Sequence, residues 1–464
     1  MDLQTYHSPL SFRYASPEMS HLFSPQFKYG LWRKLWVALA KGQKQCGLPI
    51  NEAQIRELEA HVDLIPFDAV AEIEKKLHHD VMAHIHAYGN QCPSARGIIH
   101  LGATSCYVTD NGDLLQMREG LKLIRNQIIQ ILRQLRDFSL QYAALPTLSY
   151  THFQAAQPTT VGKRACLWLQ DLLMDLRDIE HVSESLEFLG VKGATGTQAS
   201  FLSLFGGDHK KVQALEQYVA KEMGFERVVA VAGQTYTRKQ DVRVTSCLAN
   251  LASSAHKLAT DLRLLAHLKE IEEPFSVATQ IGSSAMPYKR NPMRCERVCG
   301  LARFAISLQD NALYTEATQW LERSLDDSSN RRLYIPEIFL CIDAILSLLR
   351  DITAAPVVHP KIIEKHLLEE MPFLITEELL MAATKRGKDR QQVHERLRIH
   401  SLEAARRIKE AGLTNDLLER IAADSEIGLS KEEIQSAMDV QRMIGRSVEQ
   451  VHEFLDQQIA SVFS

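Results

Sequence analysis

"DNGDLLQMREGLKLIRNQIIQILRQLRDFSLQY", residues 110–142, places apolar side chains at Leu114, Met117, Leu121, Ile124, Ile128, Ile131, Leu135 and Phe138. Steps of three and four residues close into one stripe only on an α-helix, where about 3.6 residues make a turn. Asp110 is the expected N-cap, since a short acidic side chain satisfies the free N–H groups of a first turn. A stripe this long outruns the usual globular helix of about 10–14 residues and calls for partners along its whole length.

Two more stretches repeat the pattern. One opens after Pro158 and runs through Val161, Ala165, Trp168, Leu172, Leu176, Ile179, Val182, Leu186 and Leu189, with Gly190 and Gly193 ending it. The other spans Lys239 to Ile271 and carries Val244, Leu248, Leu251, Ala255, Leu258, Leu262 and Leu265 on one side. Such helices imply an all-α fold with a central long-helix bundle, continued across a subunit boundary in an oligomer or closed within a monomer. The best strand signal is "RVVAVA", Arg227 to Ala232. The prolines of "APVVHPK", Pro356 and Pro360, mark a boundary into a last helical unit.

Composition narrows the function classes. The 464 residues carry 53 Lys+Arg against 57 Asp+Glu, and a net charge of -4 gives no general attraction to nucleic acid or to an anionic membrane. Neither a secretory start nor a membrane-length apolar run is present. Eight scattered cysteines fit reduced thiols in the cytoplasm. Cys295 and Cys299 share a helix face but lack two further ligands nearby, so they read as buried hydrophobes and no metal or other cofactor is expected. His84 and His86, two apart on a helix, point to different faces.

The polar segments gather at the edges of the long stripes. They are "HHD" (His78 to Asp80), "GATSCYVTDN" (Gly102 to Asn111), "THFQAAQPTTVGKR" (Thr151 to Arg164), "GSSAMPYKRNP" (Gly282 to Pro292) and "LERSLDDSSNRR" (Leu321 to Arg332). Each has a bland account: Thr104, Ser105 and Thr109 as turn and capping residues, His152 as a hydrogen-bonded loop histidine, the Arg–Asp pairs of the last segment as surface salt bridges. Together they supply cations, hydroxyl and amide donors and proton-transfer groups, an inventory suited to acid/base chemistry on a polyanion.

The stretch Gly282–Pro292 resembles the signature loop of the fumarase/aspartase superfamily. With "RYASPEM", "RGIIHLGATSCYVTDN", "GVKGATGTQASF" and "GQTYTRK", most of the chain is similar, in order, to the animal-type adenylosuccinate lyase family. The resemblance implies an all-α, three-domain fumarase/aspartase-like subunit divided at 1–105, 106–357 and 358–464, in a homotetramer whose active sites are shared between subunits. It implies β-elimination of fumarate from adenylosuccinate, giving AMP, and from succinyl-aminoimidazole carboxamide ribotide.

By matching positions, Ser283 is the base, with Ser284 as the alternative, and Lys289 and Asn291 hold the succinyl carboxylates. His152 matches the acid that protonates the leaving nitrogen, and His79 a second histidine near it or near the phosphate. Thr104, Ser105 and Gln234 match succinyl contacts. Arg13, Tyr14, Arg297, Arg323, Ser328 and Arg332 match the nucleotide side, with His78 and Asp80 beside His79. Where the family has Pro after "HFQ" this chain has Ala155, and it carries Pro158 where another residue is usual. A related lyase such as argininosuccinate lyase, or a non-catalytic structural relative, is the competing reading.

Overall fold

The computed structural model describes residues 4–276 and 280–463. The expected stripes fold as helices that set the architecture. They are α1 (Pro25–Gln45), α2 (Asp80–Gln91), α3 (Cys106–Gln141), α4 (Val161–Ser185), α5 (Lys239–His267), α6 (Met293–Thr318) and α7 (Asp326–Thr353). On α3 every stripe residue from Leu114 to Phe138 is buried, and so are the stripes of α4 and α5. Burying a Leu, Ile or Val side chain stabilises the fold by roughly 1.5–3 kcal/mol, so these faces outweigh any local propensity.

Helix α3 opens at Cys106, four residues before the expected cap. Tyr107 N–H bonds to the Thr104 carbonyl, and Val108 and Thr109 bond to that of Ser105, so the first turn is built on those two residues. Asp110 is inside the helix and fully buried, because its carboxylate is claimed by Arg238.

The strands also differ from expectation. Arg227–Ala232 makes only an isolated bridge between Phe188 and Val228. The real hairpin is β1 (Pro146–Thr151) with β2 (Gln154–Thr160), antiparallel, with a bulge after Leu148. Pro158, expected at the mouth of a helix, lies in β2 opposite Leu148, where the irregular register tolerates a residue without N–H. A second short pair joins β3 (Ile271–Glu272) to β4 (Val357–Val358) just before Pro360 starts α8 (Pro360–Leu374).

The chain forms two compact units. One takes the chain up to Ile128 with Met174–Ala259 and Glu296–Arg350. Its core includes Trp32, Trp36, Tyr88, Phe188 and Phe339. The other takes Ile129–Leu173, Thr260–Cys295 and the chain from Asp351 onward. There Leu148, Leu367, Met371, Leu379, Leu397 and Ile421 share one cluster.

All eight cysteines are free and buried, Cys295 and Cys299 among them. Burial pushes the thiols of Cys92 and Cys166 up to about 11 and those of Cys106, Cys247 and Cys341 up to about 12. His84 is buried too, its ring 3.9 Å from that of Tyr29.

Candidate active site

In the second unit, the loop Gly282–Pro292 folds back on itself. Asn291 Nδ2 donates to the Gly282 carbonyl at 2.9 Å, and Lys289 N–H closes a turn onto Met286 O at 3.0 Å. Pro287 holds the second position of that turn, where its fixed φ is favourable. A Cβ on Gly282 would sit 2.2 Å from the Lys289 carbonyl oxygen, so only glycine permits this crossing. The consequence falls on Ser283: its Oγ accepts N–H bonds from Ala285 at 3.3 Å and Met286 at 3.1 Å. Two backbone dipoles pointed at one hydroxyl oxygen favour negative charge there. Ser283 is half-buried, while Ser284 and Lys289 are exposed.

The hairpin in the same unit carries His152 at its tip. Thr151 pairs with Gln154, leaving His152 and Phe153 as a two-residue turn with φ of 53° and 56°. That is the pattern of a type I′ turn, which usually takes Asn-Gly because both central residues need positive φ. Here two bulky residues adopt it, a strained arrangement of the kind that gathers at functional sites. The turn exposes His152. Behind it, Tyr150 is half-buried and its phenol is pushed up to about 12, by burial first and by Glu270 second.

The first unit holds the residues expected on the nucleotide side and the expected succinyl contacts Thr104, Ser105 and Gln234, in three groups. His79 is the N-cap of α2, its Nδ1 accepting Met82 N–H at 3.3 Å, so the ring proton belongs on Nε2. Asp80 follows, ion-paired to Arg332 at 2.5 Å. Burial works against the Asp80 carboxylate, but Arg332 holds its pKa below the ordinary value. His78 ends the preceding helix in the left-handed region, φ 51°.

Thr104 and Ser105 form the second group, at the start of α3, where their carbonyls accept the first-turn N–H groups and the positive end of the helix dipole favours an anion. Gln234 is beside them: its Oε1 accepts the Cys106 thiol at 3.5 Å, and its Nε2 is committed to Ala194 O at 2.9 Å. In the third group, the Tyr14 ring has Arg13 at 5.8 Å and Arg297 at 5.6 Å from its centre. Ser328 sits in the first turn of α7, its N–H bonded to Leu325 O.

Beneath these groups lies a charged cluster that the sequence did not announce. Arg331, weighed as a surface residue, is buried: it bonds Asp241 at 2.7 Å and Asp113 at 2.9 Å, and donates to the Tyr236 hydroxyl. Arg238 spans Asp110 at 2.9 Å and Asp327 at 2.6 Å. Asp327 also accepts Arg323 on both oxygens at 2.8 Å. Burial and Arg331 oppose the charge on Arg238, yet Asp110, Tyr236 and Asp241 outweigh them and raise its pKa. Lys28, on α1, is a further cation the sequence reading passed over. Burial lowers its pKa, with Asp113 and Asp80 pulling up and Arg332 and Arg331 pulling down.

Among the described residues, no group of three or more His, Cys, Asp or Glu is arranged to hold a metal, and no helix is long and apolar enough to cross a membrane.

Comparison with known proteins shows the family. A lyase family model matches residues 21–306, and one for the adenylosuccinate lyase C-terminus matches residues 372–454. An adenylosuccinate lyase of Schizosaccharomyces pombe is 50% identical over 466 residues, covering 100% of this chain and 96% of that one. That of Saccharomyces cerevisiae is 48% identical over 462 residues, covering 99% and 95%. A solved 3-carboxy-cis,cis-muconate lactonizing enzyme from Pseudomonas putida shares the fold alone, with TM-score 0.84 at 22% identity over 98% of this chain and 99% of that one. A fumarate lyase from Mesorhizobium does so at TM-score 0.82 and 22% identity, covering 98% and 100%. The near-complete coverage at these identities, together with the matched C-terminal segment, makes this chain a member of the adenylosuccinate lyase family.

Proposed function

We propose that this lyase cleaves adenylosuccinate into AMP and fumarate, and the corresponding succinyl-aminoimidazole carboxamide ribotide, with Ser283 as base and His152 as acid. The observation that carries the reading is the pair of N–H groups on Ser283 Oγ. A serine hydroxyl is too weak an acid to serve as a base unless its alkoxide is stabilised, and each such donor is worth about 10²–10³-fold in rate. Ser284 is exposed, which favours Ser283 of the two.

In the reaction, the Ser283 alkoxide takes a proton from Cβ of the succinyl group. The electron pair left there forms the Cα–Cβ double bond, and the C–N bond breaks. His152 gives its proton to the departing nitrogen, so fumarate and the amine leave together. Charge builds on the carboxylate beside Cβ, and we assign Lys289 and Asn291 to it, with Asn291 also bracing the loop. Thr104, Ser105 and Gln234 take the other succinyl contacts. Arg13, Tyr14, Arg297, Arg323, Ser328 and Arg332 take the phosphate and nucleotide edges, with His78, His79 and Asp80 beside them. His79 serves there as an Nε2–H donor, since its Nδ1 is occupied by the cap.

We assign a homotetramer with shared sites to the chain, as its family resemblance implies, and Leu167, Met174, Phe304, Leu313 and Tyr314, exposed on α4 and α6, are apolar surface that a partner subunit would cover. The chain division at 105 and 357 and a cytoplasmic location belong to the same proposal, the latter supported by eight free thiols. The experiment is fumarate release by the purified protein, with adenylosuccinate and argininosuccinate run in parallel. Release from adenylosuccinate alone is expected, and release from argininosuccinate alone overturns the assignment.

A further inference from the structure

We infer that Asp327 is a positioning residue for the nucleotide end of the substrate, acting through Arg323. The inference rests on the assignment of Arg323 to the nucleotide phosphate. An arginine on a loop ahead of a helix ordinarily samples many rotamers, and fixing so long a side chain costs about 2 kcal/mol that is charged against binding. Arg323 does not sample freely. Its Nη1 lies 2.8 Å from both Asp327 oxygens, one helical turn ahead at the start of α7.

Asp327 cannot swing to follow it, because the carboxylate is fully buried and is gripped from the other side by Arg238, through Nε at 2.8 Å and Nη2 at 2.6 Å. Arg238 is fixed in turn by a fork onto Asp110, at 2.9 and 3.2 Å. Asp110 stands one turn into α3, behind Thr104 and Ser105. The chain Arg323–Asp327–Arg238–Asp110 is therefore a rigid strut between the start of α7 and the start of α3. One end presents a partly exposed guanidinium, and the other supports the helix start assigned to the succinyl group.

Two features separate this role from simple support. Arg331 and Arg238 are both almost fully buried, but Arg323 keeps about a fifth of its side chain exposed, 20%. And a single carboxylate serves two arginines, one buried and one open. The buried arginine alone would complete a structural pair, while the open one leaves donors for an anion.

The test uses the full-length protein and steady-state turnover of adenylosuccinate, with AMP as product inhibitor. Asp327→Asn keeps the shape and removes the charge. It is expected to raise KM and the AMP inhibition constant about tenfold while kcat stays within about twofold, the signature of lost ground-state positioning. Asp327→Glu, which keeps the charge but displaces it, is expected to give the same split should the first variant fold poorly. Tyr334→Phe removes a donor to Asp241 elsewhere in the cluster, at 3.3 Å, and is expected to lower Tm with KM unchanged. If Arg323→Gln raises KM and neither folded Asp327 variant does, positioning is overturned while the phosphate assignment stands. If Tyr334→Phe raises KM as much, the effect is general loosening and the inference falls. If Arg323→Gln leaves KM unchanged, the phosphate assignment falls and takes the inference with it.

Discussion

Nη2 of Arg332 lies 2.5 Å from Oδ2 of Asp80, so a guanidinium assigned to the nucleotide phosphate is already met by a carboxylate. The pair joins the first turn of α2 to the first turns of α7, and Asp80 in turn follows the histidine that caps α2. Protonating Asp80 therefore releases Arg332 and loosens the α2 start together.

The pair predicts an acid limb in stability. Asp80 titrates in the folded chain below its unfolded value of about 3.9, so its contribution is complete above that pH and is lost as pH falls through the folded value. His84 and His100 add an earlier phase. Burial, chiefly, lowers each to about 4, so the unfolded chain binds protons first and stability declines as pH falls from about 6.5 to about 4. Tm measured against pH is expected to fall in two phases, and Asp80→Asn is expected to diminish only the lower one, which Asp241 and Asp424, also held below the ordinary carboxylate value, share.

Removing the proton-transfer groups separates chemistry from folding. Ser283→Ala and His152→Ala are each expected to lower kcat by at least about 10³-fold with the oligomer intact, and Ser284→Ala to retain most of the activity. Fumarate release and size-exclusion chromatography check both halves. Near-normal turnover in Ser283→Ala would falsify the base assignment.

Gly282→Ala tests the loop crossing. The new Cβ meets the Lys289 carbonyl at 2.2 Å, and the backbone must open to admit it. Because this moves the N–H groups away from Ser283 Oγ, kcat is expected to fall about 10²-fold with Tm nearly unchanged. A full loss of fold, read by circular dichroism, would show instead that the crossing supports the core.

Phe153→Asn addresses the strained turn. Asn tolerates the left-handed region that Phe occupies at φ 56°, and the substitution is expected to stabilise the hairpin by about 1 kcal/mol in thermal unfolding. The same change at His152 would relieve equal strain and remove the acid, so relief there comes only with loss of turnover.

The long helices were legible because their signal is local and repeated. Leu114 through Phe138 needs only periodicity to be read, and every position is buried as the pattern demands. The hairpin was not, since Gln154, Ala155, Gln157 and Pro158 carry no strand pattern and pair only because Pro146–Thr151 lies across from them. At the candidate site, Ser283 and His152 were proposed from motifs that pack several chemical groups into a few residues. Arg238, Asp110 and Asp327 were not, because their pairings join positions 89 and 128 residues apart and each alone is an ordinary charged residue. Lys28 escaped for the same reason: on a helix face a lysine reads as solvated until its surroundings are known.

The eight buried thiols turn the molecule into its own unfolding clock. With Cys106, Cys247 and Cys341 pushed up to about 12, almost none of each is thiolate near neutral pH, and all three residues are buried. An alkylating reagent then reacts only when a segment opens. Because the cysteines are spread from Cys46 to Cys341, the order in which they acquire label maps which parts of the chain come apart first, with no engineered probe.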